Sequence, residues 1–158
     1  MRRLLSLLLS LCLLLSLTVG ASAAEKGSFS RFRPVNTYSY DSFSDVSGWY
    51  AEYVSDVYTL DLMQGSISEY GERVFKPDGL ITLAETVTLA ARIHSIYYSR
   101  TLSQSGSGAW YQPYVDYALE NSILTAGEFT NYNQSATRAQ FASILARALG
   151  DEGYAEIN

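Results

Sequence analysis

Apolar residues recur along this chain with the spacing of amphipathic helices, and they do so twice in the same order. Tyr50, Tyr53, Val54, Val57 and Tyr58 fall at i, i+3, i+4, i+7 and i+8, the stripe of a helix buried on one side. Ser47 stands where it can cap that helix. Tyr111, Tyr114, Val115, Ala118 and Leu119 repeat the stripe at the same offsets. An irregular stretch follows each helix. The first runs from Gln64-Gly65 to Phe75-Lys76-Pro77-Asp78-Gly79, where Pro77 and the glycines forbid a continuous helix. The second runs from Ala126-Gly127 to Asn133-Gln134-Ser135. A further helix then opens in each case on a capping box, Thr82-x-x-Glu85 and Thr137-x-x-Gln140. In the earlier one, Val87, Ala90, Ala91, His94 and Tyr98 mark one apolar face and Leu89, Ile93 and Ile96 another, so it is expected to be buried on two sides. Phe141, Ile144, Leu145 and Ala148 stripe the later one, and Gly150 can end it in a left-handed conformation.

The duplication extends to particular residues. Trp49-Tyr50 recurs as Trp110-Tyr111 at a distance of 61 residues, and Thr82-Leu83-Ala84-Glu85 recurs as Thr137-Arg138-Ala139-Gln140 at a distance of 55. Two anchors in fixed order mark an internal repeat, with six residues missing from the second loop, and repeats point to a modular binding architecture rather than a single enzyme pocket. The predicted fold class is all-α: tandem two-helix repeats with long irregular loops. Residues 43–98 form the first repeat, 99–108 a Ser/Gly linker, 109–149 the second repeat and 150–158 a tail without a third Trp-Tyr helix. Residues 24–42 show no sustained period and read as a lead-in segment.

The N-terminus has a different pattern. Arg2 and Arg3 precede a leucine-rich run from Leu4 to Val19, and Ala21-Ser22-Ala23 supplies small residues for cleavage. Residues 1–23 therefore read as a secretory signal peptide, the run being short for a membrane span. Cleavage would leave 135 residues with nine basic and 16 acidic side chains, a net charge of −7. The single cysteine, Cys12, would leave with the leader, so no disulfide is available and the core alone must hold the fold. The acidic balance argues against nucleic acid or an anionic membrane as partner. All 13 tyrosines remain. Tyr and Trp suit carbohydrate, since their flat faces stack on sugar rings while their polar tips form hydrogen bonds.

No catalytic or metal constellation emerges. His94 is the only histidine and lies on an apolar helix face without a second histidine or cysteine, which reads as a hydrogen-bonded core residue and not a metal ligand. It also has no Gly-x-Ser-x-Gly element to serve. Glu69 and Glu72 sit in a loop with nothing apolar to raise a pKa, so solvation is expected and not acid catalysis. Asp78-Gly79 after Pro77 reads as a turn. Trp49 and Trp110 read as inter-helix core first and as groove lining second, and no cofactor is implied.

Taken in order, Phe43, Asp45, Val46, Trp49, Tyr50, Gly65, Phe75, Pro77, Ile81, Thr82, Ala84 and Glu85 resemble an S-layer homology repeat. Trp110, Tyr111, Thr137, Arg138, Ala139 and Gln140 carry the resemblance into the second copy, which lacks the Phe-x-Pro element. The resemblance implies a pseudo-threefold helical bundle, incomplete here because the family usually carries three repeats. It also implies an exported, non-enzymatic module located at the cell wall or cell surface. Such a module would attach non-covalently to an acidic secondary cell-wall polysaccharide such as a pyruvylated one, with the arginine of the Thr-Arg-Ala motif contacting the acidic sugar.

The residues support that chemistry separately. A helix N-terminus offers unpaired N–H groups and a positive dipole end, and an arginine there adds a fork matched to a carboxylate. The expected ligand residues are therefore Arg138, Thr137 and Gln140 at the helix start, with Trp110 as an aromatic wall. Asp45 can orient Arg138 or a sugar hydroxyl, or else cap a helix start. Leu83 occupies the arginine position in the first copy and cannot bind a carboxylate. Two other readings stand beside this one: an assembly module whose open repeat surface packs against copies of itself, and the targeting part of a secreted wall hydrolase.

Overall fold

The computed structural model describes residues 26–103 and 108–157. The leader with its cleavage site, residues 104–107 of the linker and Asn158 lie outside the described residues. Among the described residues there are four α-helices: α1 (Ala51–Thr59), α2 (Leu83–Tyr97), α3 (Gln112–Glu120) and α4 (Arg138–Ile157). The chain is mainly helical, as the stripes require, with one correction. The first irregular stretch contains a small antiparallel hairpin, β1 (Ser66–Ile67) and β2 (Arg73–Val74), with Ser66 opposite Val74 and Ile67 opposite Arg73. Gly65, at φ 68°, starts it where a side chain would collide with the Val74 carbonyl and the Phe43 ring.

α2 is the central element and packs against both α3 and α4. Its Leu83, Val87, Ala90 and Ala91 meet Tyr114, Val115, Tyr117 and Ala118 of α3 and Ile144 and Ala148 of α4, with Ile123 and Leu124 closing the cluster. Leu89 is buried too, so α2 is covered on both of its apolar faces, as its two stripes predict. A second, smaller core gathers Phe43, Val46 and Val54 with Tyr38, Tyr50, Tyr58 and Phe75. There Phe43 meets the edges of Tyr58 and Phe75 at centroid distances of 5.2 and 5.4 Å.

The repeat is visible in the backbone. Leu62 and Met63 both donate their N–H to Val57 O at the end of α1, and Ile123 and Leu124 donate to Ala118 O at the end of α3. Asp61 and Ser122, at φ 58° and 59°, make the same left-handed exit from the helix. The starts of these two helices match as well. Tyr50 (φ −87°, ψ −7°) and Tyr111 (φ −87°, ψ −10°) are the N-cap residues, so Ser47 caps neither α1 nor the short 3-10 turn Gly48–Tyr50 that precedes it. A turn of helix before the cap replaces the side-chain oxygen that Ser47 would otherwise supply.

The lead-in segment is structural. Val35 and Asn36 donate N–H groups to Thr59 O, and Ser28 donates to Tyr97 O, so the segment ties the ends of α1 and α2 together. Gly27 is buried against Tyr97, whose ring occupies the space a Cβ would need. Gly150 interrupts α4 with φ 61° and ψ −174°, and the backbone resumes its helix beyond it over residues 151–157.

Candidate functional site

The starts of the two second helices lie side by side. Thr82 and Ser135 form an antiparallel bridge, and Ala136 donates its N–H to Ile81 O at 2.8 Å. Both capping boxes form as their sequences require. Glu85 N–H reaches Thr82 Oγ1 at 3.2 Å while Glu85 Oε2 accepts from Thr82 N–H at 2.7 Å. Gln140 N–H reaches Thr137 Oγ1 at 3.2 Å while Gln140 Oε1 accepts from Thr137 N–H at 2.8 Å. Glutamine caps as well as glutamate here because only a carbonyl-type oxygen is needed.

The surroundings of the two termini differ sharply. At α2, the loop of the second repeat lies across the helix start, and Gln134 O and Tyr132 O accept the N–H groups of Leu83 and Ala84 at 2.9 and 2.8 Å. Leu83 is fully buried beneath it. At α4, Thr137, Arg138 and Ala139 are exposed, and among the described residues no backbone segment pairs with the N–H groups of Arg138 and Ala139. One helix start is thus closed by carbonyls. The other presents two N–H donors and a guanidinium to solvent, the arrangement that attracts an anion.

The other expected residues fall elsewhere. Both Asp45 oxygens are taken within the first repeat, accepting N–H from Phe75 at 2.8 Å and from Lys76 at 2.7 Å. The Phe-x-Asp-Val and Phe-x-Pro elements are therefore joined by a carboxylate clamp, which pins Lys76 at φ 59°. No hydrogen bond connects Asp45 to Arg138. The tryptophans are not core: Trp49 is 82% and Trp110 60% exposed. Each sits in the turn before its helix, outside the helical stripe, and presents its face to solvent while its neighbouring tyrosine points inward. Trp110 meets Tyr111 edge-on at 5.6 Å, and Tyr111, Tyr132 and Phe129 continue the row at 5.6 and 6.1 Å. The row runs from the start of α3 to the loop that closes α2, and among the described residues no ring contact or hydrogen bond joins Trp110 to the Thr137–Gln140 turn.

His94 is a core residue. Its Nδ1 lies 2.8 Å from Tyr117 Oη, and burial, with Arg100 nearby, lowers its pKa to about 4. The same burial pushes the Tyr117 hydroxyl up to about 12. No group of three or more metal-ligating side chains occurs among the described residues. Glu69 and Glu72 are exposed, and Gly79 N–H closes the Lys76–Gly79 turn onto Lys76 O.

The sequence pattern left two features unseen. Arg31, Arg33 and Arg100 line one groove beside the end of α2 with Ser95, Ser99 and Thr101. Arg31 there donates to Tyr97 O at 2.8 Å, a cation at the negative end of a helix. The second feature is Phe129 and Tyr132. Their signal was in the chain: Gly65-Ser66-Ile67-Ser68-Glu69-Tyr70 matches Gly127-Glu128-Phe129-Thr130-Asn131-Tyr132, an echo inside the loops.

Residues 42–87 match the family model of the S-layer homology domain. The matched stretch includes the Asp45 clamp, the hairpin and the first turn of α2, all within the first repeat. The chain matches no curated protein and no solved structure. Among the described residues no helix is long and apolar enough to cross a membrane.

Proposed function

Since residues 42–87 belong to the S-layer homology domain family, a non-catalytic family whose members anchor surface proteins to cell-wall polymers, we propose that this chain is an exported anchoring module that holds an acidic, carboxylate-bearing wall polysaccharide at the start of α4. The ligand carboxylate sits against the Arg138 guanidinium and the N–H groups of Arg138 and Ala139, with the Thr137–Gln140 box holding that turn in place. One observation carries the reading. Of two matching helix starts, one has a buried leucine under a loop and the other an exposed arginine with open N–H groups. A cation in the first turn of a helix opposes the helix dipole, so its presence there without an ion-pair partner among the described residues favours an external anion.

Co-sedimentation with purified cell-wall sacculi tests the proposal. The chain is expected to pellet with native walls and to stay in solution with walls stripped of their acidic secondary polymer. Arg138→Ala is expected to weaken binding about tenfold to a hundredfold, the loss of one charge-assisted fork. No pelleting by the wild type would sink the function. Pelleting by Arg138→Ala as strong as wild type would sink the site alone.

A further inference from the structure

The two repeats bury equivalent residues unequally. Tyr114 is 8% exposed, whereas its counterpart Tyr53 is 62% exposed. Phe129 and Tyr132 pack on the main core, whereas Ile67 and Tyr70, at the same places in the first loop, are 63% and 84% exposed. In the second repeat these residues are covered because the unit made by α3 and its loop sits on α2. Among the described residues, the unit made by α1 and its loop has no such helix packed beneath it.

The backbone bonds show the same open ends. The internal junction is made by Leu83 N–H to Gln134 O and Ala136 N–H to Ile81 O. Moving this pair one repeat along the chain gives Arg138 N–H and Ala136 O at the start of α4, which among the described residues have no backbone partner. Moving it one repeat back gives Gly79 O and Ile81 N–H in the first loop, again without one. One donor and one acceptor are left at each end, in complementary order. The side chains agree in charge. Where the buried junction sets Leu83 under a loop carrying Asn131, the open ends offer Arg138 on the helix and Glu69 on the loop.

From these open ends we infer that the first-repeat unit of one chain docks on the α4 start of a second copy, reproducing between chains the junction that the two repeats make within one. Arg138 N–H donates to Gly79 O of the second copy, Ile81 N–H donates to Ala136 O, and the Ile67, Tyr70 and Tyr53 surface covers the exposed first turn of α4. The two faces differ, so association is head-to-tail. A docked copy and a polysaccharide carboxylate use the same N–H group at Arg138 and are alternatives there. The proposal stands apart from the polysaccharide reading, and its test is made without polysaccharide.

Sedimentation equilibrium of the purified chain over a wide concentration range is expected to show an average mass that rises above the monomer. Tyr70→Glu and Arg138→Glu change exposed residues, and circular dichroism confirms that each variant folds. Each is expected to weaken association by at least about tenfold. Mixing them restores association, because one variant keeps an intact α4 start and the other an intact first-repeat face. A chain that is monomeric at every concentration would overturn the inference. So would association that neither substitution weakens, or two variants that remain monomeric when mixed.

Discussion

Single residues in this chain often take roles that their chemistry alone would not assign. Asp45 shows it well: a carboxylate expected at a ligand or at a helix cap, yet both oxygens hold the backbone of its own repeat. Arg92 is similar, a cation on a buried helix that pairs with Asp61 at 3.2 Å and donates to Tyr114 Oη at 3.2 Å, joining the first loop to α3. His94 gives a measurable consequence. Its folded pKa of about 4 lies below the ordinary 6.5, so the unfolded chain takes up a proton that the folded chain refuses. Its contribution is complete above pH 6.5 and is lost as pH falls toward 4, with a slope of up to about 1.4 kcal/mol per pH unit. Glu128, held below its usual pKa by the Arg147 hydrogen bond, loses its contribution only at more acidic pH. Urea midpoints measured across this range should fall steadily for the wild type and much less for His94→Gln. Equal pH dependence in both would contradict the assignment of His94 as a buried neutral ring.

At the scale of elements, the same helix start serves two purposes. α2 and α4 open on the same capping geometry, but α2 is a core element and α4 has an exposed end. Leu83→Arg therefore is not expected to create a second site. It places a charge under the Tyr132–Gln134 loop and should cost about 3 to 5 kcal/mol of stability, measured by chemical denaturation. A stable Leu83→Arg variant with doubled ligand capacity would contradict this account. The four helices, both capping boxes and the two-sided burial of α2 were legible in the sequence because apolar spacing and cap residues act locally. Three things were not. The hairpin strands are two residues each, too short for any period to register. The exposure of the tryptophans is set by their position ahead of the helix stripe, which residue type alone does not reveal. The closure of α2 by a loop from the other repeat is a long-range contact, and no local pattern encodes it.

Across the whole molecule, the repeats behave as unequal partners. The second repeat completes the first by covering α2, and nothing among the described residues completes the second in turn. That asymmetry leaves an open, arginine-bearing helix start on the second repeat and uncovered Tyr53, Ile67 and Tyr70 on the first. The family match over residues 42–87 covers the repeat with the Asp45 clamp, whereas the proposed contact with polysaccharide lies in the other repeat. The duplicated anchors set the two halves side by side, and the matching helix exits at Asp61 and Ser122 agree with that pairing. The residues alone already pointed to the second half as the candidate anion site, since Leu83 stands in the first where Arg138 stands in the second; what lies over each helix start was not legible. The direct test is a calorimetric titration of solubilised acidic wall polysaccharide into wild type, Arg138→Ala and Arg33→Ala, the last removing a cation from the groove beside α2. The account predicts that Arg138→Ala alone loses about tenfold to a hundredfold in affinity. Full affinity in Arg138→Ala, with the loss appearing in Arg33→Ala, would contradict it.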